Sequence, residues 1–172
     1  MDDALQIVIE MSDNILNRFR RGLEGITQAE ADWRPLPEAN SIALIVRHLF
    51  IEAQWHRACL ERGEPMPSES THELLQQIDA VPMDFEGNLK AFDEAFASFL
   101  ATLQTMTRVQ LQERTRAAYH AGPSCSAHFL GFHQAMHVAM HLGQIHTIRN
   151  LHEKTRGQKA RFFPDNPTFP KS

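Results

Sequence analysis

Cysteine is scarce in this chain: Cys59 and Cys125 are the two among 172 residues. Two cysteines cannot build a disulfide framework, and its absence suits a reducing, cytoplasmic setting. Basic runs are missing too. Seventeen Lys+Arg against 21 Asp+Glu leave a formal net charge of -4, so nucleic acid, which calls for clustered cations, is not an expected partner. No apolar run approaches the roughly 18 residues of a membrane span. The opening MDDALQIVIEMSDN carries acidic residues where a signal peptide needs basic ones. No membrane partner is expected either. Tyrosine occurs once, yet histidine occurs ten times. The length fits one domain with a core large enough to need no staples.

Proline removes a backbone donor and clashes inside a helix, so the proline-free stretches are the helix candidates. There are four, at about 3–32, 41–62, 84–121 and 125–155. In the first, Leu5, Val8, Ile9, Ser12, Ile15, Leu16, Phe19 and Leu23 recur at helical spacing, Asp2 or Asp3 can cap its start, and Gly22 and Gly25 predict fraying. The second begins after Asn40-Ser41, carries the inward stripe Ile42, Ile45, His48, Leu49, Glu52, Trp55, His56 and Cys59, and stops at Gly63 and Pro65. The third has a stripe of phenylalanines from Phe85 to Phe99, and after Met106 its pattern blurs into a connection over 107–122 read as irregular and in part helical. The fourth, starting near Ser124–Ser126, is apolar nearly all round, which predicts a central position or a second buried face. No strand-like alternation stands out. The expected fold is all-α, a four-helix bundle, with long connections that permit a crossover and can roof a site. Residues 1–154 form the expected domain and 155–172 an extended or disordered tail.

The fourth helix holds His133, His137 and His141. Residues four apart share a helix face, and two imidazoles so placed can bind one metal ion. About 0.6 such pairs arise by chance in a chain of this histidine content, so one pair is weak evidence; two overlapping pairs on the helix best placed to be central are stronger. His48 lies on the inward stripe of the second helix. A lone histidine there is more often a hydrogen-bonded core residue, but a bundle brings inward residues of different helices together. Two histidines of the fourth helix plus His48 supply three nitrogen ligands and leave a position open for water or substrate.

Glu52 follows His48 by one turn on the same stripe. An inward carboxylate is costly unless paired. It can orient a ligand histidine, act as a base or bind metal; the competing reading is an ion pair with Arg18 or Arg20. His133, one turn before the metal pair, is read as a lining residue or base more readily than as a fourth ligand. His56 and His146 are read as surface or loop-facing. Cys125, at a helix start, is read as a small buried hydrophobe rather than a reactive thiol. Other metal and nucleotide motifs are missing: there is no HExxH, no CxxC, no GxGxxG and no Walker sequence, and the ExxH at Glu69–His72 falls in a stretch read as a Pro/Ser-rich loop.

Two segments carry a resemblance to a known family. The stretch from Trp33 through Pro35 and Asn40-Ser41-Ile42 to His48 resembles the pattern that leads into the second helix of DinB-like (YfiT-like) proteins, ending in a metal-binding histidine. His137-Val-Ala-Met-His141-Leu-Gly-Gln144-Ile is similar to that family's last-helix signature H-x-x-x-H-x-G-Q-I. The resemblance spans about residues 5–152. It implies an up-down-down-up four-helix bundle with a long crossover connection, and one divalent metal ion, zinc or nickel by preference, held by His48, His137 and His141. It also implies a homodimer and a chemistry of thiol-dependent transfer or isomerisation, with some members hydrolases. The expected partner is then a small-molecule substrate with a low-molecular-weight thiol. Glu52 or His133 is the nearest expected catalytic base, and residues 63–83 and 107–123 are the loops expected to shape the pocket. A non-catalytic metal-binding stress-response protein is the alternative, and a metal-free structural bundle a third reading.

Overall fold

The computed structural model describes residues 2–63, 71–81, 84–118 and 124–162. Among these, four long helices dominate: α1 (Asp3–Leu23), α3 (Ile42–Arg62), α5 (Phe85–Thr105) and α7 (Ala127–Thr155). Short helices α2 (Gln28–Asp32), α4 (Thr71–Asp79) and α6 (Arg108–Gln112) lie in the connections, and strands β1 (Arg114–Ala118) and β2 (Ser124–Ser126) form an antiparallel ribbon just before α7. No described helix is long and apolar enough to cross a membrane.

Local chemistry places the ends. The Asp2 carboxylate accepts from the backbone N–H groups of Ala4 and Leu5, Ser41 Oγ from Leu44 and Ser126 Oγ from Phe129, each satisfying a donor that the first turn leaves without a partner. Gly63 ends α3 in the left-handed region at φ 65, where a side chain would be strained. The first proline-free stretch does not stay one helix. Glu24 is extended and Gly25 has φ 68, so the chain turns and restarts as α2 with Thr27 capping Glu30.

The helix directions follow from the contacts. A Cβ on Gly131 would meet Val8 Cγ1 at 2.8 Å, and one on Gly22 would meet Leu142 Cδ1 at 2.7 Å. Low numbers on α1 thus meet low numbers on α7: the two run parallel and pack closely because glycine supplies the clearance. Residues near the start of α3 share a core cluster with Phe85 and Phe92, while Thr102 near the end of α5 donates to Glu61 near the end of α3; these two helices are parallel as well. His48 meets His137 and His56 meets Gln134, so α3 is antiparallel to α7. The order is therefore up, down, down, up, as the resemblance implied. A parallel α3–α5 pair obliges the chain to return the length of a 21-residue helix, about 31 Å at 1.5 Å per residue. That is the long crossover, and α4 lies on it.

Helix α4 and strands β1 and β2 were not anticipated. The stretch after Met106, read as irregular and in part helical, contains α6, closed by a capping box between Thr107 and Gln110. It also contains β1, whose sequence RTRAA has no apolar alternation to betray a strand. The stretch around residue 71, read as loop, opens α4. The first part of the tail is ordered too. Asn150 bonds both the backbone N–H and C=O of Phe162, whose ring stacks on His146 at 4.0 Å between centroids.

The phenylalanine stripe of α5 is core, with Phe92, Phe96 and Phe99 at most 1% exposed. A buried ion pair closes the other side. Arg149 of α7, fully buried, donates to Glu30 Oε1 at 2.7 Å and to the carbonyls of Gly22 and Glu24. It thereby ties α7 to α2 and to the C-terminus of α1. Removing one partner of a buried pair leaves the other uncompensated. Arg149→Met should lower unfolding free energy by about 3–5 kcal/mol in denaturant titration. The double variant Arg149→Met/Glu30→Gln should recover part of that loss.

Candidate metal centre

The antiparallel meeting of α3 and α7 puts two histidine-bearing faces together in the bundle interior. On α3, His48, Glu52 and His56 are successive turns of one face; on α7, His133, His137 and His141 are the same. His48 Nε2 lies 3.4 Å from His137 Nε2, and His141 Nε2 lies 2.9 Å from His137 Nε2. One nitrogen of each of these three histidines falls within 4.8 Å of the others. A tetrahedral ion with bonds near 2.0–2.1 Å needs donors about 3.3 Å apart, so the spacing fits a single first-row cation. The structure thus brings together the three residues singled out from the sequence.

The other ring nitrogens have oxygens beside them. Gln144 Oε1 is 2.8 Å from His141 Nδ1, so Nδ1 is the donor there. Glu52 Oε2 is in direct contact with His137 Nδ1, and a carboxylate favours the proton on that nitrogen. With both protons on Nδ1, the two Nε2 atoms face each other as lone pairs at 2.9 Å, an arrangement that a cation between them relieves. This is the outer-shell pattern of metal-bound imidazoles, in which an oxygen acceptor fixes tautomer and ring orientation.

Glu52 is 3% exposed and at the centre of the cluster. Besides His137, its oxygens lie 3.5 Å from His133 Nε2, 3.6 Å from His48 Nε2 and 3.9 Å from His56 Nε2. Burial by itself would push its pKa up, but the contacts with His133 and His137 and the nearby His56 outweigh that and hold the carboxyl well below its usual range. Glu52 is therefore ionised. Arg20, one of the two arginines considered as its partner, pairs instead with Asp93 at 2.9 Å on the surface. His133 stands beside Glu52 rather than within the three-nitrogen group, with Phe129 stacked on it at 6.0 Å between centroids.

His56 is a correction. It is fully buried, not surface-facing. Its Nδ1 bonds the buried Gln134 Oε1, and its ring lies 6.0 Å from Phe99. The signal was present in the spacing, since His56 is two turns beyond His48 on the same face. Gln134 was missed, because a neutral amide in an all-round apolar helix carries no mark of its partner. His146 is half-buried under Phe162. Cys59 is buried and Cys125 is partly exposed.

A depression of about 480 Å³ adjoins the cluster, lined by Pro35, Ile45, Met140, Gln144 and Ile148 among others. Larger cavities of about 690 and 630 Å³ lie elsewhere, one at Asp2 and His128, the other between α3 and α5, and neither touches the cluster. The depression beside Gln144 reaches the cluster through that residue, whose Oε1 meets His141 Nδ1. Parts of the two loops expected to shape a pocket, 64–70, 82–83 and 119–123, lie outside the described residues.

Burial lowers the His141 imidazole, helped by His137, and pushes His56 down to about 4. Both are neutral at pH 7, the form that a metal requires. An unfolded His56 takes up a proton near 6.5, whereas the folded one resists until about 4. The unfolded state then binds more protons, and stability falls as pH falls across that window. The denaturation midpoint of metal-free protein should drop steadily between about pH 6.5 and 4; a flat profile would contradict a neutral buried His56.

The sequence matches the family model described as mycothiol-S-transferase over residues 9–154. No curated protein matches it. Among solved structures, YfiT from Bacillus subtilis superposes with a TM-score of 0.68 at 15% identity, covering 92% of this chain and 91% of that one. YfiT is described as a probable metal-dependent hydrolase with an unusual four-helix bundle topology. A conserved protein from Enterococcus faecalis gives 0.66 at 19% identity, covering 85% and 95%. The mycothiol-dependent maleylpyruvate isomerase gives 0.65 at 12%, covering 82% of this chain and 60% of that one. At these identities the structural likeness speaks for the fold, while the sequence match spans most of the chain: this protein belongs to the DinB-like mycothiol-S-transferase family.

Proposed function

We propose that the chain is a divalent-metal-dependent S-transferase that uses a low-molecular-weight thiol, with mycothiol as the first candidate from the family description. The observation that carries this is the convergence of three imidazole Nε2 atoms at 2.9 and 3.4 Å on the inner wall of the bundle. Three neutral nitrogens hold a first-row ion and leave a coordination position for a further ligand. When bound, such an ion stabilises a thiolate, the nucleophilic form of a thiol, at neutral pH.

The chain's own residues do the rest. Glu52, through His137 Nδ1, and Gln144, through His141 Nδ1, keep both Nε2 atoms aimed inward. The Glu52 charge also offsets part of the cation's. An ionised carboxylate held well below its usual pKa is a weak base, so Glu52 is a positioning residue rather than the proton acceptor. His133, 11% exposed at its side chain, is the better placed group to take the thiol proton while its Nε2 carries no ion. The apolar wall of Ile45, Met140 and Ile148 beside Gln144 suits the carbon skeleton of an electrophile. In the reaction the thiol gives up its proton, the sulfur–carbon bond forms, and the bond to the leaving group breaks with the electron pair departing on that group.

His137→Ala should abolish stoichiometric metal in elemental analysis, and unchanged metal content sinks the ligand assignment. Since an ion that binds only the folded state stabilises it by about 2.7 kcal/mol at a hundredfold excess over Kd, a chelator should lower the Tm of wild type and leave that of His137→Ala unmoved.

With metal-loaded protein, mycothiol and an activated aryl halide, thioether should form with release of one halide per turn, and His137→Ala should show none. Absence of turnover with mycothiol, glutathione and bacillithiol alike would favour a metal-binding role without catalysis.

A further inference from the structure

The Glu52 carboxylate has two oxygens, and they face different neighbours. Oε2 touches His137 and lies 3.6 Å from His48. Oε1 lies 3.5 Å from His133 Nε2 and 3.9 Å from His56 Nε2. We propose that Glu52 Oε1, His56 and His133 form a second divalent transition-metal site beside the three-histidine one.

The donor set is two imidazoles and one carboxylate, a combination suited to iron, manganese, cobalt or zinc. Its three ligand atoms all fall within 4.8 Å of one another, and the two distances to Oε1 are within about 0.6 Å of the spacing a tetrahedral ion needs. Glu52 and His56 are four apart on α3 and so share a face, while His133 comes from α7 across the seam. The set repeats the logic of the first. Gln134 Oε1 engages His56 Nδ1 and directs Nε2 toward Glu52, as Gln144 does for His141. Gln134, His56 and Glu52 are each at most 3% exposed, so the donors are held in place before any ion arrives. Two histidines and a carboxylate, drawn from two helices, thus turn toward one point.

Charge sets the expected order of filling. The set at His48, His137 and His141 is neutral, and Glu52 lies against both sets. Two dications beside one carboxylate leave three positive charges in a buried region, which costs affinity unless an anion joins them. The second equivalent should therefore bind more weakly than the first and tighten when a thiolate or other anion is present.

The test is a cobalt(II) titration of the chelator-stripped full chain, followed by visible ligand-field absorption and by elemental analysis after gel filtration. Wild type should take up two equivalents in two phases. His133→Phe and His56→Phe should each saturate at one, with circular dichroism reporting that the fold survives; His133, at the edge of the core, is the more tolerant position. Saturation of wild type at one equivalent overturns the inference, as does uptake of two by both variants. If that single equivalent is lost in His137→Ala and kept in His133→Phe, the proposed function stands and only the second site falls. If wild type binds no cobalt, both fall.

Discussion

A carboxylate that is 3% exposed in the interior of a helical bundle has to be compensated. Among the described residues Glu52 is surrounded by histidines, and much of the site's organisation follows. Four imidazoles, from His48, His56, His133 and His137, lie within 4 Å of its oxygens. Histidine leaves nitrogen lone pairs, and those of His48, His137 and His141 converge.

This arrangement depends on the direction of the chain. His48 to His56 on α3 and His141 to His133 on α7 register turn by turn because the two helices are antiparallel. The close parallel approach of α1 to α7 lets α7 sit against both α1 and α3, while Phe129, Phe132, Met136 and Met140 on its remaining side stay exposed. Gly22 and Gly131 provide that clearance, and the buried Arg149–Glu30 pair pins the far end of α7 to α2. The crossover between the parallel helices α3 and α5 then carries α4 along the outside of the bundle, leaving the α3–α7 seam to build the site.

Much of this was legible in the chain. Proline and glycine placement marked the four long helices, and Asp2, Ser41 and Ser126 cap them as their side-chain chemistry dictates. Helical spacing put His137 and His141 on one face and His48 on an inward stripe. The resemblance carried by Trp33–His48 and His137–Ile145 supplied the topology and the pairing of His48 with the other two. The illegible parts share a cause. The ribbon of β1 and β2, RTRAA and SCS, has no alternating apolar pattern to mark it. His56, Gln134 and Arg149 are polar groups whose burial depends on one distant partner each, and a periodicity reports a face without naming what lies opposite.

The boundary between the two kinds of information is physical. Composition, helix periodicity and capping are local, decided within a turn or two by backbone hydrogen bonding and side-chain shape, so the chain by itself determined four long helices and a pair of imidazoles on one face of the last. Which oxygen of Glu52 meets which histidine, that His56 belongs to the interior, and that two donor sets share one carboxylate are matters of angstroms between helices far apart in sequence. Only packing decides these, because the antiparallel seam of α3 and α7 must be closed before the carboxylate and the imidazoles come within reach of one another.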